Sequence, residues 1–180
     1  MMTTANKLTL LRMALIPVFL GVLYAGFPGS RYVALAIFII ASLTDMLDGY
    51  IARHYNQITN FGKFMDPLAD KVLVMAAMCY FVEVGRMPGW ALAIVLLREF
   101  AVSGMRLVAV EQGRVIAAAW SGKVKTAATM VCLCLMLAMG KPVSAPDYVA
   151  VLSTVVIVAT TVYSGIEYFY KNRDVFKNVD

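Results

Sequence analysis

Long runs of hydrophobic residues separated by short polar segments dominate the pattern of this chain. Each run approaches the length that a helix needs to cross the hydrocarbon core of a bilayer, about 20 residues. We therefore predict an all-α integral membrane protein, a six transmembrane helix bundle with a short N-terminal interfacial helix at 5–12. The first predicted span ends near residue 25, and the others cover 32–52, 66–84, 89–110, 126–139 and 148–168.

Composition supports one membrane domain and no more. Of the 180 residues, 61% are hydrophobic, and the mean hydropathy is +0.76. Six spans use nearly the whole length, so residues 1–180 form a single domain. The net charge of +5 would also suit a nucleic-acid-binding protein. Because the chain is so apolar, we instead expect membrane lipids and phosphorylated substrates as partners, and no nucleic acid.

The distribution of lysine and arginine predicts the orientation in the membrane. Ten of them lie on the side that carries both termini, and three lie on the other side. The ten are Lys7, Arg12, Arg53, Lys63, Arg114, Lys123, Lys125, Lys171, Arg173 and Lys177, and the three are Arg31, Arg86 and Lys141. Positive residues favour the cytoplasmic side, so we expect a multi-pass protein of the cell membrane with both termini in the cytoplasm.

Four aspartates lie at the cytoplasmic edge of this predicted bundle. Asp45 and Asp48 come near the end of the second span, and Asp66 and Asp70 come at the start of the third. Spacings of three and four residues place each pair on one face of its helix. An ionised carboxylate costs about 2.5 kcal/mol or more in hydrocarbon, so such a group points to a functional site with bound cations.

Divalent metal is the natural partner for this set of carboxylates. All-oxygen ligation favours Mg²⁺, with Mn²⁺ or Ca²⁺ as substitutes. Two ions suit four aspartates better than one, since carboxylates can bridge and paired metals serve phosphoryl transfer. The alternative is that the aspartates cap helices or pair with Arg53, Lys63 and Lys71. Asp66 precedes Pro67 and is predicted to cap the third helix, which would compete with metal binding.

The aspartates belong to a longer motif, D-x2-D-G-x2-A-R-x8-G-x3-D-x3-D. Its eight fixed positions are Asp45, Asp48, Gly49, Ala52, Arg53, Gly62, Asp66 and Asp70. The sequence therefore resembles the CDP-alcohol phosphotransferase family. The segments NKLTLLR, GKFMDPLADKVL, REFAVSGMR and GKVKTA are similar to the phosphatidylglycerophosphate synthase branch. Ala5 departs from the proline that relatives carry there, which affects the start of the first helix and not the chemistry.

The resemblance implies a homodimeric membrane enzyme with a binuclear metal site open to the cytoplasm. It assigns Asp45, Asp48 and Asp66 as metal ligands, and Asp70 as both a ligand and the general base on the acceptor hydroxyl. It also implies a site for the cytidine diphosphate group, made by Asp48, Gly49, Ala52, Arg53, Gly62 and Lys63.

Four cations are candidates for binding the second substrate. Arg98 and Arg106 lie eight residues apart, about 80° around one helix, and we expect both to be buried toward one side of the bundle. Lys123 and Lys125 precede the fifth predicted span. A guanidinium group pairs well with phosphate oxygens, which favours glycerol 3-phosphate over a cationic alcohol. Alternatively, Arg98 pairs with Glu99 or another acid, Arg106 snorkels, and the lysines are ordinary positive-inside residues.

Three residues near the N-terminus have two interpretations. Asn6, Thr9 and Arg12 either form part of the substrate cleft or belong to an amphipathic anchor. Gly104, Gly122 and Gly165 are typical of close helix packing rather than of chemistry.

The predicted function is transfer of a phosphatidyl group from CDP-diacylglycerol to glycerol 3-phosphate, which yields phosphatidylglycerol phosphate and CMP. Inositol phosphate or phosphatidylglycerol as acceptor is the alternative within the same chemistry. A divalent-cation transporter is the alternative from another class. It would require acids at both depths of the membrane and has no use for Arg98 and Arg106, so the sequence favours the enzyme.

Overall fold

The structure is a computed structural model that describes residues 4–54, 60–114, 116–117, 119–141 and 146–178. Within these ranges, the side chains of 4–9, 45–54, 60–67, 70 and 176–178 are not described. The described part of the chain is helical and contains no strand. Its helices are α1 Thr4–Ala25, α2 Ser30–His54, α3 Asn60–Glu83, α4 Gly89–Glu111, α5 Trp120–Ala138 and α6 Tyr148–Lys171, followed by a 3-10 helix at Arg173–Asn178. The helical fold is as predicted.

The helices fall into two units. The first contains Met1–Phe81 and Leu137–Gly140, and the second contains Val82–Met136 and Lys141–Asp180.

In the first unit, α1 packs along α2. Phe19 and Phe38 are fully buried, with their ring centroids 5.9 Å apart. Arg12 is buried as well, and its Nε donates a hydrogen bond to the carbonyl oxygen of Ala41 in α2 at 3.3 Å. A buried guanidinium needs such acceptors, because an unpaired buried charge is costly. This contact ties the start of α1 to the half of α2 that leads to the aspartates.

In the second unit, α4 packs against α6 and the 3-10 helix. Val102, Met105 and Ala109 of α4 share a core with Tyr168 of α6 and Val175. The end of α4 is fixed by a Schellman motif, in which the amide of Arg114 bonds the Ala109 carbonyl at 2.8 Å. Gly113 there has a φ of 72°, a conformation that glycine adopts without strain.

The side of α6 that is buried is the more polar side. Ser153, Thr161 and Ser164 are buried, whereas Leu152 and Val155 are largely exposed. This is the reverse of a water-soluble helix and is typical of helices that pack through small residues inside a bilayer. By length and apolar composition, α5 and α6 can each cross a membrane, and shorter apolar segments occupy Leu10–Ala25 and Ser30–Thr44. These features indicate a membrane protein.

The α6 helix begins at a buried ion pair. Asp147 is its N-cap residue and accepts a hydrogen bond from the amide of Ala150 at 3.0 Å. Arg86 Nε donates to Asp147 Oδ2 at 2.6 Å, and Arg86 Nη1 donates to the carbonyl of Met136 in α5 at 2.5 Å. We call this group the Arg86 clasp. It joins the segment before α4, the end of α5 and the start of α6.

Three predicted helix boundaries were wrong. The segment 5–12 is not a separate interfacial helix, because α1 continues without a break from Thr4 to Ala25. The third helix begins at Asn60 and not at Asp66, so Asp66 lies inside α3 and is not its N-cap. The fifth begins at Trp120 and not at residue 126, so Lys123 and Lys125 lie in its first two turns. A polar sequence does not end a helix when its side chains have partners, and Lys125 has one in α4.

Candidate active site

The aspartates of the motif lie on two continuous helices. Asp45 and Asp48 belong to α2, and Asp66 and Asp70 belong to α3. Residues three or four apart share one face of a helix, so each helix carries two carboxylates on one face. Their side chains lie outside the described residues, and their convergence stays a prediction. The same holds for the residues expected to hold the nucleotide, which are Gly49, Ala52, Arg53, Gly62 and Lys63.

The four aspartates offer the kind of ligand atoms that a divalent metal ion prefers. All four candidate ligands are carboxylates, and hard oxygen donors are the ligands that Mg²⁺ and Mn²⁺ prefer. Asp66 lies in the interior of α3, so it is not the N-cap residue that was predicted. That competing role for Asp66 is removed.

Arg12 connects α1 to the helix that carries Asp45. In a regular α-helix, the Ala41 carbonyl that receives the Arg12 hydrogen bond also receives the amide of the residue four positions later, which is Asp45. Arg12 is buried and therefore is not the exposed cation of a surface anchor. The side chains of Asn6 and Thr9 lie outside the described residues.

Two of the four predicted acceptor-binding cations meet on one acid. Arg98 Nη1 and Lys125 Nζ both donate to Glu99 Oε1, at 3.0 and 2.8 Å. Arg98 Nη2 also donates to Ser164 Oγ of α6 at 2.7 Å. We call these four residues the Glu99 cluster. The side chains of Arg98, Glu99 and Lys125 are 14%, 13% and 6% exposed, so the ion pairs are partly buried, and the formal charges of the cluster sum to +1.

Two glycines lie beside the Arg98 side chain. A methyl group on Gly165 would lie 3.3 Å from Arg98 Cγ, which is a tight contact, and one on Gly122 would lie 3.6 Å from Arg98 Nη2, which is an ordinary van der Waals distance. Of the three glycines predicted to serve close packing, only Gly165 is therefore tightly packed, and a methyl group on Gly104 would meet no atom of the described residues within 4 Å. Arg98 Nε is buried and has no hydrogen-bond acceptor in the described part of the chain.

The other two predicted cations have different surroundings. Arg106 donates to the hydroxyl of Tyr168 at 3.1 Å, and its guanidinium lies 5.6 Å from the centroid of that ring. Lys123 Nζ lies 6.0 Å from the ring centroid of Trp120. Both arginines were predicted to be buried, but Arg98 is only partly buried and Arg106 is exposed. Arg106 and Lys123 each make a cation–π contact with an aromatic ring. Such a contact stabilises a cation without neutralising its charge.

Sequence reasoning missed the central place of Glu99. It considered this residue only as a possible partner of Arg98, whereas the carboxylate serves cations from two helices. The role of Ser164 was also missed. The sequence does contain an acid and two cations inside apolar segments. Charged side chains at membrane depth require partners of opposite charge, so this pattern could have predicted the pairing.

The chain is similar to known proteins over most of its length. The family model described as CDP-alcohol phosphatidyltransferase matches residues 2–164. The chain is 42% identical to "CDP-diacylglycerol--glycerol-3-phosphate 3-phosphatidyltransferase" of Bacillus subtilis, with 98% of each chain covered. It is 40% identical to the "Probable phosphatidylglycerophosphate synthase" of Mycobacterium tuberculosis, over 91% of this chain and 78% of the relative. A Shigella flexneri protein with the same name as the Bacillus one is 39% identical, over 92% of both chains.

These matches extend over nearly the whole length and include the complete aspartate motif on α2 and α3. This chain is accordingly a member of the CDP-alcohol phosphatidyltransferase family, and so an enzyme rather than a transporter.

Proposed function

We propose that this protein transfers the phosphatidyl group of CDP-diacylglycerol to glycerol 3-phosphate, forming phosphatidylglycerol phosphate and releasing CMP. The observation that carries the proposal is the combination of the motif on α2 and α3 with a partly buried basic cluster around Arg98 and Lys125. The motif serves the family's common chemistry, and the cluster favours an acceptor with a phosphate. Relatives named for this reaction support it.

The proposed setting is a membrane bundle in which all six helices cross the bilayer and the active site faces the cytoplasm. The excess of lysine and arginine on the side of the termini supports this orientation. The exposed apolar side chains of α4 and α6, such as Leu97, Phe100 and Leu152, support contact with lipid. From the family resemblance, we also propose a homodimer.

Asp45, Asp48, Asp66 and Asp70 would hold two Mg²⁺ ions, and Mn²⁺ would fit the same oxygens. Members of this family depend on divalent metal. When bound, the ions neutralise the pyrophosphate of the nucleotide and stabilise the phosphate that leaves. Gly49, Ala52 and Gly62 would let the cytidine diphosphate approach the backbone, since they have small side chains or none. Asp48, Arg53 and Lys63 would complete that site.

The Glu99 cluster would bind the phosphate of the acceptor. Arg98 uses Nη1 and Nη2 within the protein and keeps Nε without an acceptor in the described part of the chain. Lys125 gives one hydrogen bond to Glu99, and an ammonium group has three to give. A phosphate dianion would accept from the donors that have no partner among the described residues, and the net charge of +1 would offset half of its charge. Arg106 and Lys123 would attract the anion from the exposed side.

The reaction is then a direct displacement. The acceptor hydroxyl attacks the phosphorus that carries diacylglycerol, a new P–O bond forms, and the P–O bond to CMP breaks. Asp70 takes the proton of the attacking hydroxyl as general base. Arg98 and Lys125 would hold the acceptor's own phosphate, which limits the motion of the acceptor while it is bound. Positioning and one proton transfer are the protein's share of the chemistry.

The test is CMP release by the purified protein in detergent. We expect release only when CDP-diacylglycerol, an acceptor and Mg²⁺ are all present. Glycerol 3-phosphate, inositol phosphate and phosphatidylglycerol should be compared at equal concentration, and glycerol 3-phosphate should give the highest kcat/KM. Faster turnover with either other acceptor would contradict the acceptor assignment, whereas no CMP release with any acceptor would contradict the reaction itself.

A further inference from the structure

Glu99 is a partly buried acid inside the site that we assign to an anion. A carboxylate there weakens phosphate binding through direct repulsion, so its presence requires a reason. We propose that Glu99 is a positioning residue, which holds Arg98 and Lys125 side by side so that both address one phosphate group. This inference rests on the proposed function in one respect, namely that the acceptor carries a phosphate.

The geometry of the hydrogen bonds supports this role. Arg98 comes from α4 and Lys125 from α5, and each donates to the same oxygen, Glu99 Oε1. The two cationic nitrogens therefore lie at most about 6 Å apart although they belong to different helices. Like charges at this distance in a partly buried site repel each other, and a shared carboxylate offsets the repulsion. Without Glu99, the two cations would separate.

Arg98 is held from its other side as well. Ser164 accepts a hydrogen bond from Nη2, while Gly122 and Gly165 lie beside the guanidinium and its stem. The hydrogen bonds to Glu99 and Ser164 hold the guanidinium, Gly165 packs on its stem, and Glu99 brings Lys125 to it. Within the described part of the chain, the buried Arg98 Nε has no acceptor and is available to a ligand.

The length of the Glu99 side chain matters for this arrangement. Aspartate keeps the charge but is one methylene shorter, by about 1.5 Å, so its carboxylate cannot reach both cations at hydrogen-bond distance. Glutamine keeps the length but removes the charge that offsets the two cations. Glu111 offers a matched control, because it lies on the same helix and is exposed.

The experiment is steady-state CMP release by Glu99→Asp and Glu99→Gln, with Glu111→Asp and Glu111→Gln as controls. We expect both Glu99 variants to raise the KM for glycerol 3-phosphate by about tenfold or more, with kcat and the KM for CDP-diacylglycerol within about threefold of wild type. The controls should match wild type. A merely structural role would lower kcat with the fraction of folded protein and leave both KM values unchanged.

A second measurement separates this inference from the identity of the acceptor. Binding of inorganic phosphate is measured by isothermal titration calorimetry without the lipid donor, and the Glu99 variants should bind about tenfold more weakly than wild type. If wild type fails to turn over glycerol 3-phosphate, the proposed function is wrong and phosphate binding still decides the role of Glu99. If Glu99→Gln does not fold, the phosphate affinity and acceptor KM of Glu99→Asp still test the role of Glu99. Unchanged acceptor KM and unchanged phosphate affinity in Glu99→Asp would overturn the inference.

Discussion

The geometry of the Arg86 clasp allows us to predict how much stability the protein loses when the charge of Asp147 is removed. Arg86 and Asp147 are 6% and 10% exposed, so their ion pair is shielded from water. Asp147→Asn removes the negative charge but keeps the shape of the side chain. Asparagine is as good an N-cap as aspartate, so the hydrogen bond to the Ala150 amide should persist. The loss of stability in this variant should therefore report the ion pair and not the N-cap of α6.

The expected cost follows from burial. Removing one partner of a buried ion pair destabilises a protein by about 3–5 kcal/mol. Arg86 keeps its hydrogen bond to the Met136 carbonyl, so we expect the lower end, about 3 kcal/mol. For a chain of this size, 1 kcal/mol shifts Tm by about 2–4 °C, so Tm should fall by about 6–12 °C. Asp147→Ala also loses the cap and should cost about 1 kcal/mol more.

The effect should depend on pH. Burial alone would raise the pKa of Asp147, but the hydrogen bonds from Arg86 and the Ala150 amide, with the charges of Arg86 and Lys141, hold that pKa below its ordinary value of 3.8. A carboxyl group whose pKa is lower in the folded state stabilises the fold above its unfolded pKa. It loses this contribution as pH falls through the folded pKa. The Tm difference between wild type and Asp147→Asn should therefore be constant near neutrality and shrink below about pH 4.

The assay is thermal unfolding in detergent between pH 3 and pH 8. Asp174→Asn is the matched control, because Asp174 pairs with Arg114 while both side chains are about half exposed. An exposed pair contributes about 1 kcal/mol or less, so this variant should lower Tm by at most about 4 °C. Equal effects of the two substitutions, or a pH-independent effect of Asp147→Asn, would refute the reasoning about burial.

Three further predictions concern other sites. Asp70→Asn should abolish CMP release while some metal and nucleotide binding remains in calorimetry, and full activity would exclude Asp70 as the base. Arg12→Met should lower the free energy of unfolding by about 2 kcal/mol or more in urea denaturation, since it leaves the Ala41 carbonyl without its charged donor; an unchanged midpoint would contradict this. Gly140→Ala places a methyl group 1.8 Å from Arg31 Nη1, so the flexible guanidinium must move, and Tm should fall by a few degrees. That loss should vanish in an Arg31→Ala background.

The sequence alone was enough to predict the helical fold, and the metal-ligand role of the four aspartates stays a prediction. Helical periodicity and apolar length identify helices because they reflect local chemistry, and the spacing of the aspartates identifies their faces. The start of α3 was placed too late, because Asp66 and Pro67 form a common helix start. Proline is also tolerated in the interior of apolar helices when the lost hydrogen bond is compensated, and the sequence does not distinguish the two cases.

The Glu99 cluster depends on tertiary contacts, which explains why sequence reasoning recovered only part of it. Arg98 and Glu99 are neighbours in sequence, but Lys125 and Ser164 come from α5 and α6. Charge alone made Lys125 look like a loop residue. Its pairing with Glu99 allows it to be buried in a helix, and that partner is visible only once α4 and α5 are placed.

The central claim is that the four aspartates of α2 and α3 jointly hold two divalent ions. The most direct measurement is the anomalous scattering of Mn²⁺ in crystals of the protein grown with saturating MnCl₂. We expect two manganese peaks per chain, each within about 2.5 Å of carboxylate oxygens from both helices, and loss of at least one peak in Asp66→Asn. Saturated crystals with no ion at these carboxylates, or with the acids of α2 and α3 pointing away from each other, would contradict it.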